Sequence, residues 1–323
     1  MATPRSIIID RPLASRTLLE VVQSGFRLSR KAALNALRQR HVRICGGACI
    51  DPNRRLKVGQ HVQLETKEAS LGKSSLPAVA LQIVVRYADE HLLVVEKPAG
   101  LTTVRHADEV AAAGKRAKKF LPPTLVDLLP AVLAKNRQHP KGRIRAVHRI
   151  DKETSGLVVL ARTAEAESHL GKQFRAHTIG RHYLALVRGQ AKDARIESHF
   201  IADRGDGRRG SSASNEGQFA VTHVRVVEAL GDFTVVECEL ETGRTHQVRI
   251  HLGEAGTPLC GERVYDRPLH GQPLPDASGA ERPMLHAAFL AIDQPATGKR
   301  MEWHAKLPKD MSELAKRLRD AIR

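Results

Sequence analysis

The sequence predicts an α+β protein with a largely antiparallel sheet, divided into two unequal domains. Three observations carry this. The long C-terminal part consists of many short apolar runs separated by turn residues, with scattered helices and none of the regular strand-helix-strand alternation of a parallel sheet. Two of its apolar runs, Ile196–Ile201 and Phe219–Val227, flank a Gly/Ser/Arg loop as a hairpin would. A short basic segment at the other end is set off by the Ser/Gly/Lys stretch Ala69–Ser75. The chain has 323 residues, enough for a substantial core.

In chain order, residues 1–14 read as a flexible tail, 15–68 as a small basic α+β domain, 69–78 as a linker and 79–323 as the larger domain. Ser29 can cap a helix running through Leu34 and Leu37 to about Arg40, which leaves Arg30, Lys31, Arg38 and Arg40 for its exposed faces. Val42 and Ile44 alternate with His41, Arg43 and Cys45 ahead of a Gly46-Gly47 turn, and a further strand is expected at His61–Leu64. Strands follow at Val79–Val85 and Leu92–Val95, leading into the turn Glu96-Lys97-Pro98-Ala99-Gly100-Leu101. Arg105–Lys119 is Ala-rich and then basic, and reads either as a mobile loop that meets phosphates or as an insertion without a role. Ala166, Leu170 and Phe174 share a helical face, and Gly180 is expected to end that helix. Strands at Tyr183–Val187 and Phe233–Leu240 come next, the latter broken by Gly243. Asp310 and Glu313 form a capping-box pattern for a last helix carrying Leu314, Leu318 and Ile322 on one face.

Charge narrows the partner. Lys plus Arg number 52 against 35 Asp plus Glu, a net +17, so a polyanion is expected and nucleic acid leads. Between Ser15 and Ser75, twelve basic residues face four acidic ones, which concentrates nearly half of the surplus there. There is no long apolar run for a membrane. Met1–Leu13 lacks a signal-peptide pattern, so a cytoplasmic protein with reduced cysteines is expected. Cys45 and Cys49, with His41 and His61 nearby, lack the paired spacing of a zinc site. Gly205-Asp206-Gly207-Arg208-Arg209-Gly210 matches a dinucleotide fingerprint formally, but no helix follows it to meet a pyrophosphate. Neither a metal nor a cofactor is expected.

The densest chemistry lies in His148-Arg149-Ile150-Asp151-Lys152-Glu153-Thr154-Ser155-Gly156. A lone carboxylate, a cation and an imidazole sit there on a turn entering the apolar run Leu157–Leu160, where a carboxylate is oriented and partly desolvated. Ser155 lacks the GxSxG elbow of a serine nucleophile. Three blocks, His148–Gly156, Arg181–Gly189 and Leu240–Gly261, together resemble the RluA-type pseudouridine synthases. The first block reads HRLDxxTSG in that family, with Ile150 replacing Leu here. The second is similar to its K-x-Y-x-A strand through Arg181, Tyr183 and Ala185, and the third is TGRTHQVRIH followed by Gly256, Gly261 and Tyr265. The EKPAGL turn and Leu285-His286-Ala287 match as well, so the resemblance spans nearly all of Leu81–Pro308. The basic segment from LSRKAALNALRQRHVRI to RLKVGQHVQL resembles the S-four type RNA-binding domain. It departs from that pattern at His41 and at Cys45-Gly46, where the family has Gly and an Asn-Gly turn.

The resemblance implies a pseudouridine synthase fold and isomerisation of uridine to pseudouridine in RNA without metal or cofactor, by a monomer. Ribosomal RNA of the large subunit is the favoured substrate and transfer RNA the second. Asp151 matches the catalytic aspartate. Whether it attacks C1′ or removes the C2′ proton to give a glycal stays open, and both routes need it ionised. Arg249 matches its basic partner, Tyr183 the tyrosine that stacks on the base, and Arg149 the arginine that fills the gap left by a flipped nucleotide. Ile250 and Leu157 are expected to wall the uracil pocket, and His148 to be a hydrogen-bonded turn residue. Arg30, Lys31, Arg38, Arg40 and Arg43 would contact RNA from the first domain. Two rivals remain: a glycoside or nucleoside hydrolase, for which the matched blocks supply no second carboxylate, and a non-catalytic RNA-binding protein.

Overall fold

The chain divides after Ser75 into two units, Met1–Ser75 and Leu76–Arg323. The computed structural model describes residues 5–10, 12–38, 41–44, 47–64, 77–105, 121–136, 142–268 and 270–322. Arg40, Cys45, Gly46, the Ala69–Ser75 stretch and nearly all of the 105–119 segment lie outside those residues.

In the first unit, Thr17 opens the helix Leu18–Phe26 with a reciprocal cap. Its hydroxyl accepts the Glu20 N–H, and the Glu20 carboxylate accepts the Thr17 N–H. The helix Arg30–Arg38 begins at Ser29, whose hydroxyl accepts the Ala32 N–H at 3.2 Å. Its inner face carries Ala33 and Leu37, and Leu34 packs against the same cluster. These helices cover a four-stranded sheet of order β1-β4-β2-β3, in which β1 is Arg5–Ile8, β2 Val42–Ile44, β3 Gly47–Ala48 and β4 His61–Leu64. The expected tail therefore contains a strand. β1 pairs antiparallel with β4 from Arg5↔Leu64 to Ile8↔His61, and Ile9 is buried in the core. Only long-range pairing makes this short run a strand.

The second unit is built on one sheet of eleven strands. They are β5 (Val84–Ala88), β6 (Leu92–Lys97), β7 (Arg145–Ala146), β8 (Ser155–Ala161), β9 (Gly180–Arg188), β10 (Ala194–Ile201), β11 (Gly210–Ser211), β12 (Gln218–Leu230), β13 (Phe233–Leu240), β14 (Leu285–Asp293) and β15 (Arg300–His304). The order is β11-β10-β12-β13-β9-β14-β8-β6-β5, with β15 added on β14 and β7 on β8. Only β14 and β8 pair in parallel, so the largely antiparallel expectation holds. β8 is buried along its whole length because both faces are covered. Val158 and Leu160 pack under the helix Leu125–Lys135, and Leu157 and Val159 under the helix Ala164–Arg175. Each such side chain contributes roughly 1.5–3 kcal/mol by leaving water. At the start of β8, Gly156 has φ +117, and a Cβ there would lie 2.3 Å from the Ala287 carbonyl oxygen. A glycine is what lets β14 close against β8 beside the Asp151 loop.

Three local expectations are corrected. Residues 78–82 form a 3₁₀ turn and the strand starts only at Val84, because the Pro77 carbonyl accepts the Ala80 N–H. Gly180 opens β9, whereas the preceding helix has already ended at Arg175. The last helix, Lys309–Asp320, starts at Pro308 without a side-chain cap, and Asp310 lies inside its first turn, where its carboxylate accepts the Met311 N–H at 2.8 Å and two hydrogen bonds from Arg282 at 2.7 and 3.1 Å.

Buried imidazoles brace the sheet. His251 is hydrogen-bonded to the Thr222 and Ser198 hydroxyls at 2.8 and 3.0 Å, and His286 to the Ser155 hydroxyl at 2.9 Å. Burial pulls each down to about 4, so both are neutral in the fold near neutral pH. A histidine whose folded pKa is depressed adds stability above its unfolded value near 6.5, and that stability is lost as the pH falls toward 4. Urea unfolding of the protein at pH 7, 6 and 5 should show stability falling with acidification, with these two protons contributing up to ~2.7 kcal/mol per pH unit. A midpoint independent of pH over this range contradicts the assignment.

Candidate active site

Asp151 sits in the connection from β7 to β8, and four contacts fix that loop. The Thr103 hydroxyl donates to the Ile150 carbonyl at 2.8 Å, and Lys97 Nζ donates to the Lys152 carbonyl at 3.1 Å and to its neighbour Pro98 at 2.9 Å. Arg282 donates to the Glu153 carbonyl at 3.1 Å, and Ser155 is tied to His286. Lys97 is 1% exposed. Burial pulls its ammonium down to about 7 against the opposing pull of Glu153 and Asp151.

The segment after β13 brings the cation. Gln247 is buried, and its amide is fully used. Its oxygen accepts from the Thr242 hydroxyl and the Arg244 N–H, and its nitrogen donates to Val221 and Thr222 on β12. This clamp sets the start of the helix Gln247–Glu254 and thereby aims Arg249. Arg249 Nη1 stands 3.6 Å from Asp151 Oδ2. Its Nε and Nη2 donate to the two oxygens of Glu262 at 2.7 and 2.9 Å, a bidentate pair on a carboxylate with 0% side-chain exposure. Burial opposes the Glu262 charge, but the Arg249 hydrogen bonds and the Val264 and Tyr265 N–H groups outweigh it and hold the carboxyl below its usual range. The Tyr265 ring lies 5.2 Å from the guanidinium carbon of Arg249. His246, in the left-handed region at φ 60, is hydrogen-bonded through Nδ1 to the Tyr265 hydroxyl at 2.8 Å, and its Nε2 is 3.9 Å from Asp151 Oδ1.

Asp151, His246, Gln247 and Arg249 line a cavity of about 450 Å³, together with Arg149, Tyr183, Arg181 and the apolar wall of Leu240, Val248 and Leu285. Burial pushes the Tyr183 phenol up from its ordinary value, so the ring presents an uncharged face. Arg149 is exposed at the mouth. His148 is turned away from proton transfer: its Nε2 accepts the Val159 N–H at 3.0 Å, its ring stacks on Phe174, and burial drives it to about 3.

Asp151, Arg149, Tyr183 and Arg249 thus come together. Leu157 and Ile250 do not. Leu157 faces the Ala164–Arg175 helix with Leu92 and Leu290, and Ile250 is buried with Phe200, Ala220 and Tyr265. Both lie in elements that are buried on more than one face, so which face meets the cavity is not readable from their own residues. In the first unit Arg30, Lys31 and Arg38 are exposed on one helix, Arg43 is half-buried on β2, and Arg40 lies outside the described residues. No group of His, Cys, Asp and Glu among the described residues is arranged to hold a metal ion.

The model of the RNA pseudouridylate synthase family matches residues 91–254, which contain Asp151, Tyr183 and Arg249. The chain belongs to that family. It is 36% identical over 279 residues to the ribosomal large subunit pseudouridine synthase D of Pseudomonas aeruginosa, covering 84% of this chain and 82% of that one. It is likewise 36% identical to the protein of the same name from Zymomonas mobilis, over 96% of this chain and 93% of the other. The structure of human RNA pseudouridylate synthase domain containing 4 aligns with 73% of the chain and 93% of its own, at a TM-score of 0.56 and 24% identity, and shares the fold.

In this pseudouridine synthase the sequence left Glu262, His246, Lys97 and Arg181 without roles. Each stands inside or beside a matched block, between Gly261 and Tyr265 in the case of Glu262, and that proximity was the only signal available. Glu262→Gln should destabilise the protein by about 3–5 kcal/mol at pH 7, because it removes one partner of a buried pair. Glu262 has a depressed folded pKa, so its contribution is present above the ordinary carboxylate range and is lost as pH falls through the folded value. Chemical denaturation should therefore show a gap between wild type and variant at pH 7 that narrows below about pH 4. A constant gap contradicts the charged pairing.

Proposed function

We propose that this enzyme isomerises uridines of large-subunit ribosomal RNA, with Asp151 opening the glycosidic bond. One observation carries the assignment. Among the described residues Asp151 is the only carboxylate lining the cavity, and it faces Arg249 at 3.6 Å there. A glycosidase needs two carboxylates across the bond, whereas breaking and remaking a bond to one base needs a single carboxylate and a space in which the base turns. The ribosomal substrate is favoured by relatives at 36% identity that carry that activity in their names. Transfer RNA is the second candidate. Such work belongs in the cytoplasm, where ribosomes are assembled.

The steps follow from the residues. The target nucleotide leaves its stack, at a cost of a few kcal/mol that is least in unpaired RNA. Arg149, exposed at the mouth, stacks into the vacated place and binds phosphate. The uracil enters between Tyr183 and the wall of Leu240, Val248 and Leu285. Asp151 then either attacks C1′ or takes the proton from C2′, N1 is released, the base turns, and C5 joins C1′. Arg249 supplies the positive charge beside Asp151, and Glu262 keeps that guanidinium from folding down onto the carboxylate. The first unit, read as an S-four type domain, holds flanking RNA through Arg30, Lys31 and Arg38 on its exposed helix face.

Asp151→Asn should abolish pseudouridine formation in ribosomal RNA while RNA affinity changes less than about threefold, since phosphate contacts carry the binding. Mapping by carbodiimide derivatisation and reverse-transcription stops reads the product, and retained product sinks the assignment. Removal of residues 1–75 should weaken RNA binding and flatten the dependence of log affinity on log salt, because fewer counterions are released. An unchanged slope in filter-binding titrations shows that the first unit is not the anchor.

A further inference from the structure

Among the described residues, Arg181 is a buried cation without a counter-ion. It is 9% exposed, its Nε is buried with no hydrogen-bond partner, and no carboxylate supports its charge. Its guanidinium lies 5.5 Å from the Phe174 centroid. It also passes so close to Gly243 that a Cβ there would meet Nη1 at 2.5 Å, so the glycine leaves room for it. The side chain reaches the cavity of Asp151 and Tyr183. His148 beside it is held neutral, by burial and by this same guanidinium, and brings no negative charge. An isolated buried charge is strongly unfavourable unless a negative group arrives to meet it.

Depth in the cavity indicates which negative group that is. Arg149 and Arg175 are exposed at the mouth, where phosphates of a bound strand remain in contact with water. Arg181 lies within, in the wall shared with Tyr183, where the base goes. Uridine is neutral, but its base is an anion once the glycosidic bond has opened.

Resting on the reading of Asp151 given above, we infer that Arg181 binds the uracil anion, donating hydrogen bonds to its carbonyl oxygens as the C1′–N1 bond breaks. The electron pair of that bond passes to N1 and spreads onto O2 and O4. On the sugar, either the Asp151 carboxylate gives a pair to C1′, or the C2′–H pair becomes the C1′=C2′ bond and the proton goes to Asp151. The charge on the base is discharged when C5 gives a pair to C1′. In the first route this expels the carboxylate, and in the second Asp151 returns its proton to C2′. C5 then loses its proton to solvent as N1 gains one, and nothing is oxidised or reduced. A donor that is fixed before the charge develops stabilises this step without reorganising.

The test uses the full chain, wild type and with Arg181→Met or Arg181→Lys, on a large-subunit ribosomal RNA transcript made with uridine or with 5-fluorouridine. Fluorine withdraws electrons, so the base leaves with less help. Arg181→Met should slow single-turnover loss of the N-linked nucleoside, read by mass spectrometry of nuclease digests, by about 10²–10³-fold on the uridine transcript. The loss on the fluorinated transcript should be at least ~10-fold smaller. Affinity should change less than about threefold, the lysine variant should recover part of the rate, and the melting temperature of Arg181→Met should not fall, because a lone buried charge has been removed. Weakened RNA binding with an unchanged bound rate would make Arg181 a phosphate contact and overturn the inference. Equal losses on both transcripts, or a lowered melting temperature, would make it structural and overturn it too. A wild-type protein that forms no pseudouridine removes the underlying reading instead, whereas an active wild type with an equally active methionine variant removes only the role of Arg181.

Discussion

Arg249 is held by two carboxylates of unequal depth, and the catalytic centre depends on that inequality. Glu262, fully enclosed, takes two parallel hydrogen bonds and fixes the plane of the guanidinium. Nη1 is left facing Asp151 across 3.6 Å, close enough to place charge beside the carboxylate and too far to occupy its lone pairs with a short hydrogen bond. Without Glu262 the guanidinium would be free to close on Asp151, the carboxylate proposed to act on the sugar. The Gln247 clamp and the Tyr265 ring serve the same end from the backbone and from the face of the cation.

The arginines of the site differ by how their charge is met. Arg249 is paired and immobilised, Arg282 is spent on Asp310 and the backbone of the Asp151 loop, and Arg149 and Arg175 are solvated. Arg181 alone is buried with its charge unmet. The buried histidines contribute in the opposite way. His148, His251 and His286 are held neutral by burial, which turns each into a hydrogen-bonding strut to a neighbouring strand. The sheet can thus approach the cavity closely without adding charges that compete with Asp151 and Arg249.

Much of the site was legible in linear order. Asp151 stands in a dense charged turn entering a buried strand, and Tyr183 and Arg249 stand in blocks of matching type, so residue type and spacing alone bring the three together. The helix faces at Leu170 and at Leu314 and Leu318 were legible as well, because 3.6-residue periodicity is a local signal, whereas Ile322 lies beyond the end of its helix and is 54% exposed. Leu157 and Ile250 were misplaced. For residues in fully buried elements, apolar character is the same on both faces and says nothing about which face meets the cavity. β1 was missed because four residues carry too little periodicity to announce a strand, and its partner β4 lies more than fifty positions away.

By itself the sequence determined the chemistry available: one carboxylate in an apolar setting, cations to balance it, an aromatic ring for a base and a surplus of positive charge for RNA. These follow from residue type and short spacing, which the chain carries locally. The tertiary structure decided which charges are paired. Glu262 meets Arg249 because the helix and the following loop fold back on one another. Pairing depends on distances of a few ångströms between segments remote in sequence, and burial sets what each pairing is worth.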